Sequence, residues 1–368
     1  MVQGESKGAV TSRRRKRAVC VILALAVIAA GLGVGQLLLP QELILEKAKD
    51  RMEAEWGVRP EVEGFRCTIL GTFRADEIRA GLSTSWVRVG AAADKVRGRV
   101  SLLPLLRKRV EVGAKAGSLH GQLISLGDTD VDVLLRGVRL WARGGRGREG
   151  TWVRLESRAA SVEELEGGRI RIEAVDRNGD FLLEEALWDL SPGSVRVSGE
   201  FSENSYARFS IDVEVEGLDL GRIPLARPSV DGVMSGKAEV RGGVESGWGE
   251  ASISFIVEDG SIKQGALEGL GELRKLWLVD NGREAEEGVP FEKLAASLAV
   301  NAAGVTFRSL ELSGENYRVE GTGFASISGK LSMLLGGEFP GAGKGTIWVE
   351  GSIYSPEVSW IPIEEGRE

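Results

Sequence analysis

The sequence is poor in the residues that build metal and redox sites. Its 368 residues include one histidine and two cysteines, too few for a multi-histidine or cysteine-rich zinc site. The 51 glycines fall far short of the roughly one residue in three that a collagen-like chain requires. Charged residues at 27% and hydrophobic residues at 42% are typical neither of a disordered chain nor of a polytopic membrane protein. These absences favour a globular chain stabilised by its core.

The chain beyond residue 17 lacks an excess of basic charge. Residues 1–17 hold six of the 47 basic residues and one of the 54 acidic residues, so the rest of the chain has a net charge of −12. Phosphate binding needs a clustered basic face. The charge balance therefore excludes nucleic acid from the expected partners.

Long hydrophobic runs are also rare, and one near the N-terminus stands out. Residues 18–39 carry no charge and follow the basic cluster Arg13–Arg17. As a helix they would rise about 33 Å, enough to cross a hydrocarbon core of about 30 Å. We predict a transmembrane anchor at 18–39 with residues 1–17 as a cytoplasmic tail, which places the body outside the cytoplasm. The alternative is a cleaved signal peptide with a small-residue site at 33–35.

The chain after the anchor changes its hydrophobic period. Apolar residues recur every four positions from Gln41 to Trp56, which predicts an amphipathic helix. From about Glu61 a period of two predominates and predicts roughly eighteen to twenty strands in a mainly β fold. Further short amphipathic helices are expected at 265–278 and from Pro290, where Phe291, Leu294 and Leu298 share a helical side. Hairpin turns are expected at 178–179, 242–243 and 336–337.

The strand alternation is clearest between Arg208 and Glu216. Phe209, Ile211, Val213 and Val215 alternate there with polar residues such as Asp212, Glu214 and Glu216. Each such strand has one apolar and one polar face, and a few short helices cannot cover so many apolar faces. The sheet must either close on itself as a sandwich or barrel, or bury its apolar face against an apolar ligand.

Motifs that suggest chemistry fail on their spacing. Residues 341–346 lack the first glycine and the Ser/Thr of a phosphate loop and predict a turn. Residues 176–180 begin like a calcium loop, but Phe181 and Leu187 stand where its glycine and bidentate glutamate belong, so a hairpin turn is favoured. His120 has no nucleophile or ligand at useful spacing and is expected at the surface or in a turn. We expect no enzyme activity, no cofactor and no metal.

Several segments in order resemble the AsmA family. The N-terminal pattern of that family is matched by the helix, residues 57–59 and the stretch Ala93–Val112, which contains a Leu-Leu-Pro-Leu-Leu turn. Its C-terminal pattern is matched by 232–238, 256–262, 289–305, 317–327 and the ending Val349–Val358. The middle, roughly 125–230, matches in strand rhythm alone.

The resemblance implies a bacterial inner-membrane protein, single-pass, with a periplasmic body. That body would be an elongated, curled antiparallel β-sheet forming a taco-like groove, in which phospholipid acyl chains are held for phospholipid transport or outer-membrane assembly. The implied regions are 40–125 (N-terminal-like), 126–230 (middle) and 231–368 (C-terminal-like). Other envelope proteins are candidate partners, and a structural secretion component similar to the N protein of type II secretion systems is the alternative function.

Alternation and resemblance together nominate a set of groove-lining residues. They are Ile253, Phe255, Val257, Val305, Phe307, Tyr317, Val319, Ile347, Val349 and Ile353. The alternative is that the same side chains fill a closed sandwich core.

We predict that residues 18–39 stay attached to the mature protein, because the apolar run is long enough to span a bilayer and is basic on one side alone. Membrane-extracted protein should keep the N-terminal tail when its N-terminus is sequenced. A mature N-terminus at Gln36 or nearby would show a cleaved signal peptide instead.

Overall fold

The structure, a computed structural model, describes most of the chain after residue 40. The described residues are 41–56, 59–68, 71–83, 87–101, 109–125, 130–145, 150–163, 165–177, 180–202, 208–223, 230–243, 249–263, 288–353 and 355–363. They divide into two compact units, Met1–Thr129 and Asp130–Glu368. The C-terminal unit thus includes both the middle and the C-terminal-like regions expected from the sequence.

The described residues of the N-terminal unit form one helix and five strands. Helix α1 spans Gln41–Trp56, which confirms the predicted helix. The strands are β1 Glu61–Glu63, β2 Arg66–Cys67, β3 Thr72–Ser83, β4 Val87–Val100 and β5 Arg109–Ser125. Both β1 and β2 pair with β3, which pairs with β4, and β4 pairs with β5, all antiparallel. The predicted Leu-Leu-Pro-Leu-Leu turn falls between β4 and β5, at residues outside the described ranges.

Arg59 forms ion pairs that connect the segment after α1 to the helix. Its guanidinium lies 2.8 Å from Glu53, 2.9 Å from Glu46 and 3.4 Å from Asp50. These three acids sit on one side of α1 because they are spaced by three and four residues. Ala48, one of the apolar residues that recur every four positions, is exposed.

The C-terminal unit is an antiparallel meander with one 3₁₀ turn, Leu220–Arg222. Its strands are β6 Asp130–Gly145, β7 Thr151–Ser157, β8 Ala159–Val162, β9 Leu165–Gly167, β10 Ile170–Arg177, β11 Asp180–Asp189, β12 Ser194–Ser202, β13 Arg208–Asp219, β14 Val230–Gly243, β15 Glu250–Ile262, β16 Val289–Asn301, β17 Gly304–Gly314, β18 Tyr317–Ser326, β19 Lys330–Phe339, β20 Gly343–Ser352 and β21 Ser355–Pro362. The described residues form 21 strands in all, so the mainly β prediction is confirmed.

Strand order in the C-terminal unit follows chain order. Strand β6 pairs with both β7 and β8, which together occupy the next position in the sheet. Strands β9 and β10 occupy the position after that, where β9 pairs with β8 and β10 pairs with β7. From β10 to β21 every strand pairs with its successor. Among the described residues no pairing joins β6 to β21, so this sheet is open and not a closed barrel.

The helix expected from Pro290 is wrong, because Val289–Asn301 is strand β16. A spacing of four, as between Leu294 and Leu298, fits both a helix and a strand, since four residues are close to one helical turn of 3.6 and equal two strand periods of 2. Strand β16 hydrogen-bonds to β15 on one side and β17 on the other along its length. Tertiary pairing therefore outweighs the local period.

The three expected hairpin turns lie differently with respect to the strands. The pair Arg177↔Asp180 brackets residues 178–179 as a two-residue hairpin requires, although the two residues themselves lie outside the described ranges. The turn expected at 336–337 is wrong: both glycines lie inside β19. Residues 242–243, also expected as a turn, are the last two residues of strand β14. A turn at 340–342 leads into strand β20.

The predicted anchor at 18–39 and the predicted helix at 265–278 lie outside the described residues. Within the described ranges, no helix combines the length and the hydropathy that crossing a bilayer requires.

Gly337 is required where side chains from three strands converge. A Cβ at that position would lie 2.8 Å from Phe339, 3.1 Å from Ile347 and 3.1 Å from Trp360. Its neighbour Gly336 faces the other way, and a Cβ there would meet nothing closer than the Glu320 carbonyl at 3.8 Å. A side chain would therefore fit at Gly336 but would clash at Gly337.

We predict that Gly337→Ala destabilises the protein by about 1–3 kcal/mol, because the added methyl overpacks a filled site. Gly336→Ala should change stability by less than about 0.5 kcal/mol. Chemical denaturation of both variants measures the difference. Equal effects of the two substitutions would contradict the packing described at Gly337.

Candidate ligand-binding face

Register gives the C-terminal unit a face that can be traced residue by residue. Directly opposed residues of an antiparallel pair point to the same side of the sheet. Following these partners from β6 to β21 defines a first row. Its members are Leu140, Leu155, Ile172, Ala186, Val197, Val213, Ala238, Ile253, Leu298, Phe307, Gly323, Met333, Val349 and Val358. Every member is apolar or glycine, so no polar side chain interrupts the row.

Two flanking rows have the same character. The second row runs through Ile170, Trp188, Val195, Val215, Gly236, Phe255, Ala296, Leu310, Gly321, Leu335, Ile347 and Trp360. The third row runs through Ala142, Val153, Ala174, Leu183, Gly199, Ile211, Val240, Ala251, Val300, Val305, Ala325, Leu331, Gly351 and Pro356. We call the three rows together the apolar face, and the opposite side of the sheet the outer face.

Burial on the apolar face is uneven. In the first row Val349 is buried, whereas all other members are half-buried. The buried core cluster lies on β15–β20 and comprises Val257, Val289, Phe291, Leu312, Val319, Leu335, Phe339, Ile347 and Val349. Other apolar residues, such as Leu135, Ala160 and Ala174, are buried at the first strands of the unit. A sheet packed throughout against a second layer would bury the whole first row. The apolar face is therefore tightly packed at the cluster and partly accessible elsewhere.

The structure brings most of the predicted groove residues onto this face. Val257, Val319, Ile347 and Val349 belong to the buried cluster, and Phe255 and Tyr317 pack against it. Ile253 and Phe307 lie in the first row and Val305 in the third, all half-buried. Ile353 does not join them: it follows the end of β20 in a turn and is 46% exposed.

Aromatic residues that alternation did not single out complete the cluster. Phe339 contacts Trp360 edge to face at 5.4 Å between ring centroids and stacks with Tyr317 at 6.4 Å. The Tyr317 hydroxyl donates to the Pro290 carbonyl at 2.7 Å, linking β18 to β16 across β17. Glycines at 337 and 345 on the same side make room for these rings. The pairing of β19 with β20 brings these two glycines opposite one another, so no local sequence signal locates this cluster.

The outer face is charged and its charges are paired. Arg154 bonds to Glu156 and lies 3.4 Å from Glu173, while its guanidinium stacks over the Trp141 ring at 5.7 Å. Hydrogen bonding from Arg154 holds the pKa of Glu156 below its ordinary value. Such exposed pairs stabilise weakly one by one, but opposed charges penalise a slipped register.

The same pattern recurs further along the outer face. Lys237 lies 2.8 Å from Glu214, and Lys293 lies 2.6 Å from Glu311. The hydrogen bond from Lys237 lowers the pKa of Glu214, and the bond to Glu214 raises the pKa of Lys237. Ion pairs thus mark the water-facing side from β7 to β20, the side on which Asp212 lies and from which Val213 points away.

The described residues contain no group of three or more His, Cys, Asp or Glu side chains placed to hold a metal ion. His120 is an exposed residue of β5. Burial raises the pKa of the Cys67 thiol, which favours its neutral form over the nucleophilic thiolate. The apolar face can bind apolar groups by desolvating them.

Comparison with protein-family models, with curated proteins and with solved structures finds no match to this chain. The apolar face itself is therefore the basis for assigning a function.

Tyr317 provides a pH test of the cluster. Burial, followed by the nearby Glu292 charge, raises the pKa of Tyr317 above its ordinary value. A pKa raised by folding stabilises the protein fully below the unfolded value of about 10 and loses that contribution at higher pH. We predict that unfolding free energy falls more steeply above pH ~10 in the wild type than in Tyr317→Phe.

At neutral pH Tyr317→Phe should cost about 1 kcal/mol, because the Pro290 carbonyl loses its donor. Denaturation curves across the alkaline range measure both effects. Parallel pH profiles for the two proteins would show that Tyr317 ionises as freely in the folded state as in the unfolded chain.

Proposed function

We propose that the C-terminal unit carries phospholipid acyl chains on its apolar face. One observation supports this most directly: the first row is unbroken by polar residues from β6 to β21, yet it is half-buried over nearly its whole length. Apolar surface left in contact with water is unfavourable by about 25 cal/mol per Å². A large contiguous apolar surface marks a binding site for a ligand, a membrane or a protein.

An acyl chain suits this surface in chemistry and in size. A chain gains about 0.8 kcal/mol for each CH₂ that it buries and needs no hydrogen bonds from the protein. Strands are spaced by about 4.8 Å, so the first row measures on the order of 60 Å. One leaflet of a bilayer is about 15 Å of hydrocarbon, half of the usual ~30 Å. The row therefore exceeds the length of a single acyl chain, as a transport path for lipids would.

The resemblance to the AsmA family supports a setting for this activity. In our proposal the segment 18–39 anchors the protein in the bacterial inner membrane and the sheet curls into a taco-like groove in the periplasm. There it acts in phospholipid transport or outer-membrane assembly. The packed cluster would close part of the groove, and the half-buried positions of the three rows, Ile253 on β15 among them, would be its accessible part.

A buried charge distinguishes an accessible groove from a closed core. We predict that Ile253→Asp keeps the protein folded, with a melting temperature within a few degrees of the wild type, because water can reach this half-buried position. Bound phospholipid, quantified by mass spectrometry of extracts from the purified full-length protein, should fall severalfold.

Ser254→Asp is the matched control. It adds the same charge one residue away on the outer face, where Ser254 is exposed and pairs in register with Lys237. Its lipid content and melting temperature should match the wild type. Unfolding of Ile253→Asp would support a closed core, and unchanged lipid content in a folded Ile253→Asp would refute acyl binding at the first row.

A further inference from the structure

The outer face changes character at the last strands of the sheet. Four large apolar side chains are exposed there: Phe324 by 38%, Leu334 by 49%, Trp348 by 43% and Ile361 by 53%. Leu334 lies directly opposite Trp348, while Phe324 and Ile361 sit two residues along the neighbouring strands. They form a diagonal across β18–β21 that we call the outer apolar strip. Beside it, the described residues of β19–β21 form one cross-strand ion pair, between Lys344 and Glu338 at 3.9 Å.

The strip lies beside an edge of the sheet. Within the C-terminal unit β21 pairs with β20, and the described residues place no strand on its other side. The Ile363 amide donates to the Lys344 carbonyl at 2.8 Å. Because inward and outward backbone groups alternate in an antiparallel pair, the residues that direct their backbone groups outward are Pro356, Val358, Trp360 and Pro362.

The free edge of β21 can pair with another strand over a short length alone. Proline has no N–H, so Val358 and Trp360 supply the outward donors of β21. A long edge strand with many free donors would pair with almost any extended chain. Prolines on both sides limit pairing to the short centre of β21. The edge therefore favours a partner strand whose backbone groups align with those of Val358 and Trp360.

Charge indicates the chemistry of that partner. Glu350 and Glu357 face each other across β20 and β21 on the outer face, and like charges opposed in this way are destabilising. Other opposed carboxylates on the outer face have a cation within reach: Glu311 and Glu320, for example, both lie near Arg318. In the part of the chain that the structure describes, this pair of carboxylates has no such cation, so a partner that brings one would relieve the repulsion.

We propose that the β21 edge and the outer apolar strip dock an extended basic segment of a partner protein. The segment adds as a strand beside β21 and bonds to the backbone of Val358 and Trp360. Its Lys or Arg side chains reach Glu350 and Glu357, and its apolar side chains cover Trp348 and Ile361. This is strand addition, in which backbone bonds give affinity and side chains give specificity.

A second copy of this chain fits the edge less well. A two-fold pairing of β21 strands centred on Ser359 would satisfy the outward groups of Val358 and Trp360. It would place each Glu357 opposite Ile361 of the other copy and would supply no cation to either carboxylate pair. Charge complementarity therefore favours a basic partner over self-association.

The test uses a fluorescein-labelled synthetic peptide in which lysine and valine take turns along one face of the strand, with a serine after each of them. A control peptide has glutamate in place of lysine. Fluorescence anisotropy with the full-length protein should show saturable binding of the lysine peptide and binding at least about tenfold weaker for the glutamate peptide. Glu357→Lys should abolish this preference, because the new lysine would pair with Glu350 and leave no net charge at the site. Equal binding of both peptides to the wild type, or no binding of either, would overturn the proposal.

Backbone pairing is tested separately at Val358. Val358→Pro removes one of the two outward donors without breaking a bond to β20, so it should weaken the lysine peptide about tenfold. Val358→Ala keeps the donor and should bind like the wild type. Similar affinities for the two variants would overturn strand addition, and concentration-dependent dimerisation that Val358→Pro abolishes would identify a second copy as the occupant.

Lipid content separates this surface from the acyl-binding face. Glu357 lies on the outer face, so Glu357→Lys should leave bound phospholipid at the wild-type level. Loss of both lipid and peptide binding would show that the substitution disturbs the whole sheet, and the docking proposal would then fail. The acyl-binding proposal would still be tested separately by Ile253→Asp.

Discussion

The fold depends on keeping register across many antiparallel strands. Side chains alternate between the faces of a strand, so a slip by one residue would exchange every apolar side chain for a polar one. In the C-terminal unit Val213 and Asp212 show the constraint at one position: the valine joins the first row, and the aspartate faces water. Every property argued for the apolar face requires this register to hold from β6 to β21.

Two physical effects act together to hold it. On the outer face, bonds such as Lys237 to Glu214 join opposite charges across neighbouring strands. On the apolar face, the cluster around Ile347 and Phe339 fixes β19 and β20 by packing, since both side chains are almost wholly buried. Register shifts also occur, for example between Val215 and Leu218, where a bulge keeps the apolar residues on one face despite an uneven spacing. A long sheet can therefore keep a continuous apolar row even where the spacing of apolar residues along a strand is uneven.

The period of two made most of the strands predictable, because alternation alone determines which residues share a face. It located β13, and it placed Ile253, Phe255 and Val349 on one side. It could not tell a strand from a helix at Leu294 and Leu298, where a spacing of four suits both. It also misplaced Ile353, since the run of alternation on β20 does not show where the strand ends.

Glycine was the other source of error, and the reason is physical. Gly336 and Gly337 resemble a turn when only neighbours in sequence are considered, but Gly337 is needed because Phe339, Ile347 and Trp360 approach it from three strands. Such a requirement arises from residues far apart in the chain and leaves no local pattern. The same holds for the aromatic part of the cluster, where Trp360 reaches Phe339 across β20.

The half-buried rows and the packed cluster are two outcomes of one sequence pattern. Where aromatic side chains lie over glycines, as Trp360 does over Gly345, the sheet fills its own apolar face. Where the rows consist of smaller residues such as Val197, Val213 and Ala238, side chains of the same sheet do not reach far enough to cover one another, and the face stays accessible. Side-chain size along a row therefore decides whether the protein or a ligand completes the apolar layer. An acyl chain, which is apolar along its length and adapts its shape, can complete it without requiring a polar partner at any position.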